Sequence, residues 1–228
     1  MQKEKLIIVS FTGKLKKQMA KIIPVNNETV NEVISKKAAK LFKEKGFSAT
    51  TMREIAEAIG VVAPSLYNHI SSKNEILQQV CFNVANLFTT YISKVELSHQ
   101  PVLEKLELII RFHINMMLKE YESVYVSDHE WKHLPEPYLS NFKNQRRSYR
   151  NRLANIVELG IANKELKNID PYIAVLTILS AIGGIEYWQR SKKTVDAGLL
   201  EENMMKFLIG GLKNNQSAFN SKIVHLKS

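Results

Sequence analysis

One stretch of the chain decides the fold prediction: residues 51–77 read TMREIAEAIGVVAPSLYNHISSKNEIL. Thr51 has the hydroxyl of a helix N-cap, and Glu54, three residues later, completes a capping box. The apolar residues after the cap have the spacing of one helix face: Met52, Ile55, Ala56 and Ile59. Gly60 ends this short helix, because glycine accepts the left-handed conformation of a helix stop. A third short helix is predicted over residues 63–70, with a proline in its first turn.

A longer helix precedes these two. Residues 28–45 are predicted to be helical, and Gly46 follows as a stop. The apolar residues of this helix lie on one face: Val30, Val33, Ile34, Ala38, Leu41 and Phe42. Two short helices that are joined by a glycine turn and packed on a longer helix form a helix-turn-helix. An unrelated small helical bundle has similar spacing, so spacing alone leaves both interpretations open.

Two motifs in this segment decide between the interpretations. They are Leu66-Tyr67-x-His69 and Ser72-Lys73-x-x-x-Leu77. Together with residues 51–61 they resemble the N-terminal domain of tetracycline-repressor (TetR) family regulators. The resemblance implies a homodimeric, cytoplasmic bacterial transcription regulator and not an enzyme. It implies an all-α fold, with an N-terminal three-helix helix-turn-helix DNA-binding domain (27–73) and a C-terminal helical ligand-binding and dimerisation domain (74–228).

The third helix of such a motif presents its outward side chains to the bases of double-stranded DNA, while its flanks bind phosphates. The candidate DNA-binding residues are Thr51, Val62, Ala63, Ser65, Tyr67, Asn68, His69 and Lys73. The side-chain amide of Asn68 suits adenine. Tyr67 and Lys73 resemble the phosphate-binding tyrosine and lysine of the family.

The segment departs from the family at the start of the third helix. Val62 stands where a cap hydroxyl is usual, and Ala63 where a basic residue or proline is frequent. The helix carries no Arg or Lys, which favours an operator that contains A/T pairs. Packing alternatives stay open for three candidates: Thr51 as a cap, Tyr67 as a core aromatic residue and His69 between helices.

Composition and charge fit this class. Hydrophobic residues make up 45% and charged residues 24% of the 228, which excludes disordered and disulfide-rich classes. The net charge is +10, and residues 1–26 carry half of it with six lysines and one glutamate. We interpret 1–26 as a basic extension, with Met19 as an alternative start. The single cysteine, Cys81, cannot form an internal disulfide and fits a reducing compartment.

Asp170 and Pro171 are predicted to cap a helix that runs to about residue 191, and a last helix is predicted from about residue 196 to 212. These two helices are predicted to form the dimer interface, with a purely intrachain core as the alternative. The apolar run 172–188 is shorter than the ~20 residues that cross a bilayer, so no membrane contact is expected. The candidate interface residues are Ile173, Leu176, Thr177, Ser180, Gly184, Leu200, Met204, Phe207 and Leu208. Packing against a two-fold mate would give a four-helix interface and require a near-palindromic operator.

A small-molecule effector is expected to bind between the C-terminal helices. The candidate residues are His113, Met117, Tyr121, Tyr125, Trp131, Arg146, Tyr149, Arg150, Tyr187 and Trp188. Residues 136–190 look similar to sensor domains of regulators of fatty-acid and sterol breakdown, which implies an acyl-CoA effector. Four arginines could bind coenzyme A phosphates or form a solvated face: Arg146, Arg147, Arg150 and Arg152. A hydrophobic drug-like cation is the alternative effector.

A rival function class rests on two histidines. His129 and His133 are four residues apart, beside Asp128, and could share a helix face as ligands of a helical metal-binding protein. No third ligand stands at a diagnostic spacing. The sequence contains no nucleophile elbow, phosphate loop or paired-carboxylate pattern, so no catalytic residue, metal or cofactor is predicted.

Overall fold

The computed structural model describes residues 29–191 and 196–214. Over these residues the fold is all-α, as predicted, and contains no β-strand. The α-helices are α1 (Val30–Lys45), α2 (Met52–Ile59), α3 (Ala63–Tyr67), α4 (Lys73–Glu96), α5 (Val102–Lys119), α6 (Tyr121–His129), α7 (Tyr138–Ala162), α8 (Pro171–Gly183), α9 (Ile185–Arg190) and α10 (Ala197–Leu212). A short 3-10 helix, Trp131–His133, lies between α6 and α7. The expected basic extension, 1–26, lies outside the described residues.

Local sequence explains how the first helices begin and end. At the start of α2, the Glu54 N–H donates to Thr51 Oγ1 (3.2 Å) and the Thr51 N–H donates to the Glu54 carboxylate (2.8 Å). This confirms the predicted capping box. Gly60 ends α2 in the left-handed conformation, with φ 86° and ψ 26°. An equivalent box of Thr29 and Glu32 starts α1 and was not predicted.

The third helix is shorter than predicted, with five residues instead of the eight of 63–70. Val62 holds the N-cap position in an extended conformation but has no hydroxyl that could accept a hydrogen bond. After the helix, the N–H groups of His69 and Ile70 both donate to the Leu66 carbonyl, at 3.0 and 3.1 Å. The uncapped start and the tight turn limit α3 to little more than one turn.

The described residues form two compact units. Unit 1 contains the described residues up to Ala85 together with Glu122–Phe142. Unit 2 contains Asn86–Tyr121 and the described residues from Lys143 onward. This division differs from the boundary expected after residue 73, because the first half of α4, most of α6 and the start of α7 pack with the helix-turn-helix.

The core of unit 1 explains why residues 122–142 belong to it. One buried cluster combines residues of both segments, among them Ile34, Phe42, Ile55, Leu66, Ile76, Val126, Leu134 and Phe142. The Phe142 ring also packs edge-on against Phe82, with centroids 5.6 Å apart. Lys43 of α1 forms an ion pair with Glu122 of α6 at 3.4 Å. Burial of this shared apolar surface is the main term that stabilises unit 1.

Unit 2 is built around α5, which packs against α8, α9 and α10. The start of α8 is capped as predicted, since the Ile173 N–H donates to the Asp170 carboxylate at 2.8 Å and Pro171 occupies the first turn. One face of α8 is buried in unit 2 through Ala174, Val175, Ile178 and Ile182. Gly184 interrupts the helix that was predicted to continue to about residue 191.

The segment Pro171–Arg190 is long and apolar enough to cross a membrane, by length and composition alone. It is 20 residues long and therefore longer than the apolar run 172–188. Only 28% of this segment is buried. One such segment is weak evidence for a membrane span, because an apolar helix with an open face is also expected where two subunits meet.

Gly160→Ala is expected to destabilise the protein. A Cβ at this position in α7 would lie 2.7 Å from Leu166 Cδ1 and 2.9 Å from Val102 Cγ1, and both side chains are buried. Alanine normally favours a helix by up to about 1 kcal/mol over glycine, but overpacking costs about 1–3 kcal/mol. We expect a net loss of roughly 1–2 kcal/mol in the free energy of unfolding, measured by urea denaturation.

Gly210→Ala in α10 is the matched control, because nothing lies within 4 Å of its added Cβ. This variant should be at least as stable as the parent protein. Equal stability of the two alanine variants would show that the neighbours of Gly160 move aside without cost.

Candidate functional site

The short helix α3 has a buried side and an exposed side. Leu66 and Ile70 are almost completely buried and fix the helix to the core of unit 1. The exposed side carries Val62 (48% exposed), Tyr67 (53%), Asn68 and His69, with Ala63 half-buried. The packing alternatives for Tyr67 and His69 are therefore wrong. These exposed side chains include hydrogen-bonding groups and apolar groups that can contact base edges and phosphates.

Ser65 was expected to point outward, and this is wrong. The residue is only 7% exposed, and its Oγ has no hydrogen-bond partner among the described residues. In a helix of five residues, Ser65 lies beside the buried Leu66 and turns with it toward the core. The hydroxyl of Ser65 is therefore not available on the surface that Tyr67 and Asn68 form.

Thr51 is exposed, but its donors are already in use. Its N–H and its hydroxyl both donate to the Glu54 carboxylate, at 2.8 and 2.9 Å. The Lys45 ammonium also donates to Glu54 (2.8 Å), and these hydrogen bonds lower the pKa of Glu54 to about 2. Thr51 is therefore the N-cap of α2, and its DNA contact stays a prediction. A phosphate at this position would meet a carboxylate that is already ionised.

Lys73 is bound to the protein itself. Its ammonium donates to the carbonyl oxygens of Phe47 (2.7 Å), Ser48 (3.2 Å) and Thr50 (2.7 Å). It also lies over the Phe47 ring, 4.4 Å from the centroid. An ammonium has three donors, so this arrangement uses all of them. The geometry therefore favours Lys73 as a clamp between the start of α4 and the α1–α2 turn, against the expected phosphate contact.

Unit 2 contains a histidine–tyrosine pair in which His113 is buried and Tyr149 is half-buried. His113 Nε2 and Tyr149 Oη are 2.6 Å apart and join α5 to α7. The His113 ring stacks on Phe88 of α4, with centroids 4.3 Å apart. Burial lowers the pKa of His113 to about 3 and raises the pKa of Tyr149. Both groups are therefore neutral at physiological pH and offer hydrogen bonds, not charge, to a bound molecule.

Acidification is expected to destabilise the protein through His113. The pKa of an unfolded histidine is about 6.5, whereas burial lowers that of folded His113 to about 3. Between these values the unfolded chain binds a proton that the folded chain does not bind, so the free energy of unfolding falls as the pH falls. We expect a loss of about 2 kcal/mol between pH 7 and pH 5, measured by urea denaturation.

His113→Gln is the matched variant for this test, because glutamine keeps a hydrogen-bonding group but does not titrate. Its stability should change less than that of the parent protein over the same pH range. An identical loss in both proteins would assign the effect to other groups.

A line of polar side chains joins α4 to α7 beside this pair. The Gln145 side-chain amide donates to Asn86 (2.9 Å) and Thr89 (3.2 Å). Further along, the Arg152 guanidinium binds both carboxylate oxygens of Glu96, and it donates to Ser93 Oγ at 2.8 Å. The four α4 residues in these contacts, Asn86, Thr89, Ser93 and Glu96, are three or four positions apart, which is the spacing of one helix face. The sequence predicts that face, but it does not identify the partner helix 56 residues away.

The predicted effector residues do not form one site. Tyr125 and Trp131 are partly buried against the core of unit 1, whereas the other candidates lie in unit 2. In unit 2, His113 and Tyr149 meet, and four other candidates are buried or half-buried: Met117, Tyr121, Arg146 and Arg150. Tyr187 is exposed, and Trp188 lines a groove on the outer surface of α8, α9 and α10.

That groove is open, apolar and about 350 Å³ in volume. Its lining residues are Ala181, Gly184, Ile185, Trp188, Leu200, Met204, Phe207 and Leu208. Phe207 is 81% exposed, and Ile173 and Leu176 are exposed on the same helices. Every predicted interface residue keeps at least part of its surface exposed. The exposure of this face does not fit the alternative of a purely intrachain core.

The structure does not support the alternative in which His129 and His133 bind a metal from one helix face. His129 ends α6, whereas His133 lies in the separate 3-10 helix, so the two do not share a helix face. His129 Nδ1 lies 2.9 Å from the Tyr125 carbonyl oxygen, and the His133 ring stacks on Phe47. Within the described ranges, no three His, Cys, Asp or Glu side chains form a group that could hold a metal ion.

Comparison with known proteins gives a consistent match. Residues 34–80 match the model of bacterial regulatory proteins of the tetR family. Residues 99–212, half of the chain, match the model of the tetracyclin repressor-like C-terminal domain. The HTH-type transcriptional repressor KstR2 of Mycolicibacterium smegmatis is 23% identical over 182 residues, which cover 78% of this chain and 88% of that protein.

Two solved structures share the fold. The ketosteroid transcriptional regulator KstR2 of Mycobacterium tuberculosis has a TM-score of 0.75 and 19% identity, covering 82% of this chain and 97% of that chain. AibR in complex with isovaleryl coenzyme A and operator DNA has a TM-score of 0.69 and 22% identity, covering 81% and 98%. At these identities the structural similarity establishes the fold.

Proposed function

We propose that this chain, which belongs to the TetR family of bacterial regulatory proteins, is a homodimeric repressor that a lipophilic, anionic effector releases from its operator. The chain is a DNA-binding transcription regulator and not an enzyme. One observation carries the proposal. One side of α3 exposes side chains that can contact DNA, whereas Leu66 and Ile70 on the other side are buried in the core of unit 1. A regulator of this kind acts in the cytoplasm, where bacterial DNA lies.

The exposed row of α3 indicates how the operator is read. Asn68 supplies an amide for adenine, and the apolar Val62 and Ala63 suit the methyl group of thymine. The hydroxyl of the exposed Tyr67 can donate to a phosphate. The row contains no Arg or Lys for bidentate contacts to guanine, so we expect A/T pairs in each half-site.

The open face of α8, α9 and α10 supports dimerisation. Soluble proteins seldom expose an apolar face of this kind unless a partner covers it. A second copy offers the same face, and a two-fold contact closes on itself. Two copies then place two α3 helices on one duplex, which requires a near-palindromic operator.

The effector is expected to bind unit 2 near the His113–Tyr149 pair. The Phe88 ring contacts both members of this neutral pair, Phe112 packs edge-on against Phe88, and Arg152 lies on the same helix as Tyr149. Apolar walls with a few polar groups are typical of small-molecule sites. The fold relative AibR is described with isovaleryl coenzyme A, which makes an acyl-CoA our first candidate. A hydrophobic cation is the alternative.

Release requires that the effector prefers the form that does not bind DNA. Helix α4 is the element suited to report binding, because it is continuous from Lys73 to Glu96 and contributes to both units. We propose that effector binding shifts the far end of α4 and thereby changes the separation of the two α3 helices in the dimer.

Selection of duplexes from random DNA by the purified full-length protein tests the DNA-binding half of the proposal. We expect an enriched near-palindrome with A/T pairs in each half-site. Enrichment of no sequence, or of a single half-site, would contradict the dimeric repressor.

Titration of the bound, selected duplex with palmitoyl-coenzyme A tests the effector half. Free coenzyme A, palmitate and the hydrophobic cation tetraphenylphosphonium serve as comparisons. Release by the thioester alone supports an acyl-CoA effector, whereas release by the cation alone contradicts it.

A further inference from the structure

The Arg152 guanidinium of α7 binds two residues of α4, Glu96 and Ser93. Arg152 Nε donates to Glu96 Oε1 at 3.0 Å, and Arg152 Nη2 donates to Oε2. The same Nη2 donates to Ser93 Oγ at 2.8 Å. A guanidinium that holds a carboxylate with two parallel bonds has the geometry with which arginine recognises carboxylates and phosphates.

The position of Glu96 gives this pair a mechanical role. Glu96 is the last residue of α4, and the Lys105 ammonium donates to its carbonyl oxygen at 3.1 Å. The opposite end of α4 carries Ile76 and Leu77, which are fully buried in the core of unit 1. Loss of the Arg152–Glu96 pair therefore removes the charged contact at the end of α4 that lies in unit 2, where Ile92 and Val95 stay buried.

The surroundings of Arg152 suit the head of an amphipathic molecule. Tyr149 precedes Arg152 by three residues on α7, which places both on one helix face. Tyr149 contacts His113, and His113 stacks on Phe88. An anionic group at Arg152 would thus stand next to neutral hydrogen-bonding groups and aromatic rings.

We infer that Arg152 is the anion-binding residue of the effector site, and that Glu96 occupies it as an internal competitor until the carboxylate or phosphate of an effector takes its place. This inference rests on the proposed effector-responsive function. Both side chains are partly exposed, at 26% and 34%, so their pair contributes little net stability and an incoming anion can replace Glu96 at low cost. The exchange keeps Arg152 paired and removes the charged contact between α7 and the end of α4.

The inference makes opposite predictions for the two partners. Glu96→Gln removes the competitor, so an anion should bind more tightly. Arg152→Gln removes the binding group, so the same anion should bind more weakly. Both variants lose the charged contact between α7 and the end of α4, so both should bind the selected duplex less tightly. Nonspecific damage to the fold would not move anion affinity in opposite directions.

Two dyes with matched apolar parts serve as probes. 8-Anilinonaphthalene-1-sulfonate carries an anionic group, and N-phenyl-1-naphthylamine is its neutral counterpart. By fluorescence titration we expect the sulfonate to bind Glu96→Gln at least fivefold more tightly than the parent protein, and Arg152→Gln at least fivefold more weakly. The neutral dye should bind all three within twofold. Dye bound at the groove of α8–α10 would add the same contribution in every variant.

Glu201→Gln is the matched control. It breaks the ion pair between Arg111 and Glu201 (2.8 Å), which joins α5 to α10 and does not involve α4. Its affinities for both dyes and for the duplex should equal those of the parent protein. Arg152→Lys, which keeps the charge but not the two parallel bonds, should bind the sulfonate with intermediate affinity and replaces Arg152→Gln if that variant does not fold.

Equal sulfonate affinity in all variants, or parallel changes for both dyes, would overturn the inference. Failure of the anion site at Arg152 can be distinguished from failure of the proposed function. If palmitoyl-coenzyme A fails to release DNA but the sulfonate follows the expected order, the choice of effector is refuted and the anion site stands. If the duplex is released by palmitoyl-coenzyme A equally well from Arg152→Gln, the anion site is refuted and the regulator stands.

Discussion

Phe207→Glu is expected to convert the protein to a monomer and to weaken its affinity for the selected duplex more than 100-fold. Phe207 is 81% exposed in the structure and lines the apolar groove of α8–α10. In a dimer the new carboxylate would be buried against the apolar surface of the partner without a counter-charge. Such burial costs several kcal/mol, and about 3 kcal/mol already corresponds to a 100-fold loss. Sedimentation velocity and fluorescence anisotropy measure the two effects.

The matched control for this prediction is Leu159→Glu. Leu159 is also an exposed apolar residue of unit 2, but it lies on α7 and does not line the groove. This variant should stay dimeric and bind the duplex like the parent protein. A Phe207→Glu protein that sediments as a dimer would show that the subunits associate through another surface.

Lys73→Met is expected to lower the thermal midpoint of unfolding by roughly 5–10 °C. Methionine keeps the length of the lysine stem but removes the ammonium that binds the carbonyl oxygens of Phe47, Ser48 and Thr50. Hydrogen bonds to a charged group contribute about 1.5–3 kcal/mol, and each kcal/mol shifts the midpoint of a protein of this size by about 2–4 °C. Differential scanning calorimetry measures this shift.

The same variant separates a clamp from a phosphate contact. Loss of one phosphate contact per subunit would reduce the slope of log affinity against log salt by about one for each subunit. If Lys73 is a clamp, Lys73→Met changes stability and leaves this slope unchanged. Lys40→Met, at an exposed lysine of α1, should leave the thermal midpoint unchanged. An unchanged midpoint together with a reduced slope in Lys73→Met would restore the phosphate contact and refute the clamp.

Local rules predicted the elements whose ends are set by neighbouring residues. The capping box of Thr51 and Glu54, the left-handed Gly60 and the Asp170 cap all act within three or four residues, and each is present. The exposed apolar face of α8 was also predictable. A helix that is apolar on nearly all sides has more apolar surface than contact with one core can bury, so a second partner is expected for the remaining face.

Contacts between distant residues were not predictable in this way. Tyr125 and Trp131 are aromatic residues of the kind that line pockets, but they pack against a core cluster that also contains residues of α1 to α4. Lys73 matched a motif, yet its role depends on carbonyl groups 23 to 26 residues away. Ser65 was assigned to the surface from helical spacing, which fails in a helix of little more than one turn.

A gel shift on the intergenic DNA upstream of the protein's own gene, titrated with salt and then with palmitoyl-coenzyme A, tests the central claim most directly. The account predicts a complex that weakens steeply with salt and is released by the thioester but not by free coenzyme A. A complex that neither salt nor the thioester weakens would contradict a regulator that binds DNA phosphates and responds to an anionic lipophilic effector.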